Sequence, residues 1–161
     1  MQSMAGNENA DADFDPPRYR RILVALDDSP AARLALRHAI GMAREQRALL
    51  TLLTVVPTPS NRVAAAGIAP SELLADMQAE ADARLRALAA AAPGDVSLTT
   101  ILRQGDPADE ILALLANDSF DLLCMGARGR GWLATAVLGS VSAAVLHRSP
   151  TPVMVLHPAP A

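Results

Sequence analysis

The chain contains no lysine: all 14 residues of its Lys+Arg count are arginine. That absence excludes a P-loop lysine on phosphate, a Schiff-base lysine and a lysine general base. Aromatic residues make up only 2%, against 51% hydrophobic residues in all, so the interior has to be built from Ala, Leu, Val and Ile. Such a composition suits helices laid on a parallel sheet. The single cysteine, Cys124, allows no internal disulfide and no two-thiol zinc or redox site, which fits a reducing cytoplasm. Lying within an apolar run, it reads as a small core residue. No apolar run reaches the roughly 20 residues of a membrane helix, and the N-terminus lacks the cationic and apolar regions of a signal peptide. A soluble cytoplasmic protein is expected. Excess positive charge is missing too. The formal net charge of -3 argues against broad binding to nucleic acid, while leaving room for one specific phosphate site.

What is present reads as one domain, since 161 residues fall within the usual domain range. Residues 1–17 are polar and acidic and are expected to form a disordered tail; the domain is placed at 18–158, with a C-terminal tail at 159–161. Within the domain, strands are predicted at 21–26, 49–56, 96–102, 120–125 and 152–156. Helices are predicted at 30–46, 71–91, 107–116 and 140–147, bounded by Pro30, Pro93-Gly94, Pro107 and Ser149-Pro150. Asp28 is expected to cap the first helix, whose apolar stripe reads as Leu34, Ala35, His38 and Met42. The alternation Val96 to Leu102 suits an edge strand.

Strict alternation of strand and helix predicts an α/β fold: a single-domain, five-stranded parallel sheet with helices on both faces, of Rossmann-like type. Ligands bind such sheets at the carboxyl ends of the strands, where the strand order reverses. The loops after the first and fourth strands, which carry Asp27 and Gly126, are the natural candidates.

After the fourth strand the chain reads Gly126-Ala127-Arg128-Gly129-Arg130-Gly131-Trp132, and later Gly139-Ser140-Val141-Ser142 at a predicted helix start. Glycine lets backbone N–H groups approach phosphate oxygens, and a helix N-terminus adds partial positive charge. Ser140 can supply a hydroxyl donor or cap the helix. The spacing of Gly126, Gly129, Gly139 and Ser140 resembles the nucleotide-binding signature of the universal stress protein family. The resemblance runs from Arg20 to Leu156 and takes in Asp27, Gly105-x-Pro107 and the run Ser149 to Val153.

The resemblance implies an adenine-nucleotide α-hydrolase-like sheet that binds ATP or a related adenine nucleotide, with or without Mg2+. It further implies that Asp27, Val55, Met125 and Gly126 border adenine and ribose, with Gly105 near them, and that Arg128, Gly129, Gly139, Ser140 and Val141 surround the phosphates. It also implies a homodimer through the last strand, Val153 to Leu156, and an unknown regulatory protein partner. The chain departs from the family pattern at Thr54, where many members carry histidine, at Ala25, where some carry proline, and at Trp132, where a small residue is common. Trp132 can cover the nucleotide or anchor the loop.

Other readings stand beside this one. Asp27 can satisfy backbone donors at a turn, and Arg128 and Arg130 can be solvated loop charges. His38, His147 and His157 lack metal-ligand spacing and read as a core residue, a helix C-terminal cation and a tail residue; no catalytic or metal-binding role is assigned. No general base stands out for phosphoryl transfer, so at most a weak ATPase is expected. A nucleotide-independent dimeric interaction module is the alternative. An adenylating enzyme is disfavoured, because Leu26-Asp27-Asp28-Ser29-Pro30 has no glycine-rich pyrophosphate loop.

Overall fold

The computed structural model describes residues 16–58, 69–127 and 138–158. The expected tails up to residue 15 and from residue 159, the 59–68 loop, and Arg128, Gly129, Arg130 and Trp132 lie outside the described residues. Nine elements alternate along the chain: β1 (Arg21–Ala25), α1 (Pro30–Gln46), β2 (Leu49–Val56), α2 (Pro70–Ala91), β3 (Leu98–Gln104), α3 (Pro107–Asn117), β4 (Leu122–Gly126), α4 (Ser140–Arg148) and β5 (Val153–Leu156). The strands form one parallel sheet in the order β3-β2-β1-β4-β5.

Alternate side chains of the central strands enter two separate cores. Ile22, Val24, Leu50, Leu52, Leu122 and Cys124 pack with Ala35, Leu36, Ala39 and Ala43 of α1 and Leu85 of α2. Leu23, Leu53, Leu123 and Met125 pack on the other face with Ala108, Ile111, Leu112, Leu114 and Leu115 of α3 and Val145 of α4. With both faces covered, the central strands must be apolar throughout, which is why β2 and β4 read as continuous hydrophobic runs. Growth from β1 through β2 to β3 uses one face, and the return to β4 and β5 uses the other, so the chain reverses direction between β1 and β4. β3 is an edge strand with Thr99, Thr100, Arg103 and Gln104 exposed, as its alternation predicts.

Four local expectations are corrected. Ser29, not Asp28, caps α1: its hydroxyl accepts from the Ala32 N–H at 3.1 Å, while the Asp28 carboxylate is ion-paired with Arg84 of α2. The stripe that α1 buries is Ala31, Ala35, Ala39 and Ala43 with Ala32 and Leu36, and His38 is exposed. The helix is rotated toward its smallest residues because alanines at every fourth position let its backbone approach the sheet closely. None of the three histidines is a core residue. Element ends shift by one or two residues. β3 begins at Leu98, because the Val96 N–H turns back to the Pro93 carbonyl, and β4 begins at Leu122, because the Asp121 carboxylate accepts from the Arg20 and Arg21 N–H groups.

Candidate functional site

At the carboxyl ends of β1 and β4, Ala25 lies in register with Met125, and the Leu26 N–H continues the ladder to the Leu53 carbonyl. The chain then turns through Asp27 into α1. Asp27 Oδ1 accepts from the Ser29 N–H at 3.2 Å and from the Ser29 hydroxyl at 2.5 Å. The turn-stabilising role of Asp27 is therefore present, and it orients the carboxylate and the capping serine together. Among the described residues, the side-chain hydrogen bonds of Asp27 run through Oδ1, and its backbone carbonyl also accepts from the Ser29 N–H.

The first turn of α1 rests directly on Gly126. A Cβ at that position would meet the Ala31 Cβ at 2.7 Å and the Ala32 backbone nitrogen at 2.8 Å, distances that real Cβ atoms do not tolerate. Gly126 is thus required by helix packing at the crevice floor. Gly105 closes the neighbouring strand end: its N–H bonds to the Val56 carbonyl at 3.1 Å and its φ is +146°, a conformation suited to glycine. The Glu110 carboxylate lies against it. Asp106 then caps α3, accepting from the Ala108 and Asp109 N–H groups.

Val55 and Met125 share the apolar cluster on the α3 and α4 face, with Met125 buried and Val55 half-buried. Beyond Gly126 the chain is pinned at Ala127, which is fully buried and donates its N–H to the Leu156 carbonyl at 2.8 Å. The Gly139 N–H returns to the Ala127 carbonyl at 2.7 Å. This clasp brings the start of α4 back to the end of β4, so Gly139, Ser140 and Val141 stand at the same sheet edge as Asp27 and Gly126.

Gly139 is the N-cap of α4 and, having no side chain, makes no cap hydrogen bond to the first turn. Ser140 is the first helical residue and is exposed; it does not cap the helix, because the capping position falls one residue earlier. Among the described residues no side chain accepts from the first-turn N–H groups of α4, and the helix dipole adds partial positive charge there, an arrangement that can receive an anion. Of the residues singled out in the sequence, Asp27, Val55, Met125, Gly126, Gly139, Ser140 and Val141 are brought to this edge; Arg128 and Gly129 lie outside the described residues.

Ser142 was not singled out. Its side chain is buried, and its hydroxyl donates to the Ala127 carbonyl at 2.6 Å, with the Gly139 carbonyl at 3.3 Å. Only the fold, which puts the Ala127 carbonyl beside it, marks this serine out. Cys124 is fully buried in β4, and burial pushes its thiol up to about 12. Among the described residues, no group of three or more His, Cys, Asp or Glu side chains could hold a metal ion. Among the same residues, no helix is long and apolar enough to cross a membrane.

Comparison with known proteins supplies the family. The universal stress protein family model matches residues 18–157. Universal stress protein YxiE of Bacillus subtilis is 31% identical over 147 residues, covering 86% of this chain and 99% of its own. The structure of the universal stress protein UspA from Lactobacillus plantarum superposes with a TM-score of 0.72 at 29% identity, covering 88% of this chain and all of that one. A universal stress protein solved in complex with cAMP matches with a TM-score of 0.58 at 28% identity, covering 88% of this chain and 98% of its own. The two-faced parallel sheet, the reversal between β1 and β4 and these matches converge: the chain belongs to the universal stress protein family.

Proposed function

We propose that this protein binds ATP or a related adenine nucleotide in the crevice between the ends of β1 and β4 and acts as a nucleotide-dependent regulator in the cytoplasmic stress response. The observation that carries the reading is the clasp of Gly139 on Ala127, which returns a helix start without a side-chain cap to the end of β4. Phosphate fits there because the first-turn N–H groups and the helix dipole both favour an anion. In this reading Gly139, Ser140 and Val141 receive the phosphates together with Arg128 and Gly129. Val55 and Met125 offer the base an apolar edge, Gly126 lets the first turn of α1 close against the strand end that borders it, and Asp27, held by Ser29, accepts from an amino group or ribose hydroxyl. The family member solved with cAMP held an adenine nucleotide, which supports the ligand class.

Any Mg2+ would arrive with the phosphates, and its chemistry would be to neutralise their charge. Phosphoryl transfer also needs a positioned nucleophile and a base, and among the described residues no side chain at this edge is aligned as one, which supports at most slow turnover. The protein assembles as a homodimer through β5. A second reading is favoured by β5 itself, whose four apolar residues are all half-buried at the sheet edge: a dimeric module that works without nucleotide.

Denaturing freshly purified protein, identifying the released nucleotide by mass spectrometry, and titrating ATP with and without Mg2+ by calorimetry separates the two. Expected is stoichiometric adenine nucleotide, lost in Gly129→Glu and Gly139→Glu variants that keep the native circular dichroism spectrum. Absence of both retained nucleotide and binding sinks the nucleotide reading and leaves the dimeric module.

A further inference from the structure

We infer that Ser142 is the positioning residue that sets the phosphate-facing end of this site; the inference rests on the nucleotide reading above. Its side chain is only 2% exposed, so it reaches neither solvent nor ligand. Its single hydroxyl proton goes to the Ala127 carbonyl at 2.6 Å, and the Gly139 carbonyl stands at 3.3 Å. The same Ala127 carbonyl accepts the Gly139 N–H at 2.7 Å, and the Gly139 carbonyl accepts the Ala143 N–H at 2.9 Å. One carbonyl thus gathers the last residue of the β4 segment, the first residue of the returning chain and a side chain from the first turn of α4.

Ala127 is itself fixed, since it is fully buried and bonded to the Leu156 carbonyl of β5. Ser142 therefore ties the helix to the sheet at a point that cannot drift, and the N–H groups of Ser140 and Val141 are aimed by that tie. Without the hydroxyl, the buried Ala127 carbonyl keeps one partner instead of two and the first turn of α4 is free to pivot on Gly139. A donor displaced by a fraction of an ångström loses much of a charge-assisted bond, so the effect falls on the phosphates and not on the base.

The test compares Ser142→Ala and Ser142→Thr with the parent chain, using calorimetric titration with ATP and, separately, with adenosine, which carries no phosphate. Ser142→Ala is expected to bind ATP about tenfold more weakly and, because a buried carbonyl loses a partner, to melt a few degrees lower while keeping the native circular dichroism spectrum. Adenosine affinity should change by less than about twofold, and Ser142→Thr, which keeps the hydroxyl, should bind ATP within about threefold of the parent. Faster amide exchange at Gly139 in nucleotide-free Ser142→Ala is the accompanying signature. Unchanged ATP affinity in Ser142→Ala overturns the role. So does an equal loss for ATP and adenosine, or an equal loss in both variants, since either marks packing as the cause. If the parent chain binds neither ligand, the nucleotide reading itself has failed and this role falls with it.

Discussion

Cys124 shows how completely single residues are committed to the core. It is fully buried in β4 among Ile22, Val24 and Leu52, and desolvation raises its thiol from 9.0 to about 12. A group whose folded value is raised keeps its contribution to stability below the unfolded value and loses it as pH climbs toward the folded one, because only the unfolded chain then releases the proton. The window therefore runs from about pH 9 to about 12. The chain has no lysine, so few other side chains ionise there. By pH 10.5 the thiol should have withdrawn about 1–2 kcal/mol. Urea midpoints measured from pH 8 to 10.5 should fall more steeply for the parent than for Cys124→Ala; parallel curves would mean that the thiol meets water in the folded protein. Its core role was legible because it sits in an uninterrupted apolar run. Ser142 was not legible, because a serine in a helix first turn looks like surface until the fold puts the Ala127 carbonyl beside it.

Helix starts separate what spacing tells from what neighbours decide. Pro30 and Pro107 marked the first turns of α1 and α3 directly, since proline is tolerated where the N–H needs no partner. The choice between adjacent capping candidates was not in the local sequence. Asp28 and Ser29 are both good caps, and the decision came from α2, whose Arg84 draws the Asp28 carboxylate away while Asp27 holds the Ser29 hydroxyl. Ser29→Ala should therefore cost about 1–2 kcal/mol in chemical denaturation, because it removes the acceptor of the Ala32 N–H and the donor to Asp27 together. The Asp28–Arg84 pair is more than one-third exposed on both sides, so Asp28→Ala should cost less, under about 1 kcal/mol. The reverse ranking would return the cap to Asp28. The buried alanine ladder of α1 was misread for a related reason. Leu34 and Met42 carry more hydrophobic weight in a sequence, whereas the fit of Ala31 and Ala32 over Gly126 depends on two segments nearly a hundred residues apart.

At the scale of the whole molecule, the order of chain reversal was recoverable because connections obey few rules: alternating strands and helices, parallel pairing and one hand of crossover leave little choice. That rule brought Asp27 and Gly126 to the same edge before any contact was known. It does not say what happens at the two ends of the sheet, and they differ. β3 presents Thr99, Thr100, Arg103 and Gln104 to solvent, the polar kind of edge that discourages pairing. β5 presents Val153, Met154, Val155 and Leu156, none fully buried, and Leu146 of the preceding helix is the one large hydrophobic residue exposed among the described residues, at 42%. An apolar edge left open to water is costly and invites a partner strand, so a second copy of β5 is the proposed cover. Sedimentation velocity on the parent should give twice the monomer mass, and Met154→Glu, which places a charge in that edge, should shift the species to monomer while the far-UV spectrum persists. The loss should be concentration-dependent, because a shared edge is stabilised by mass action and not by the fold of one chain. A parent chain that stays monomeric at tens of micromolar, or a dimer indifferent to Met154→Glu, would remove β5 from the interface and leave its apolar edge to a different protein.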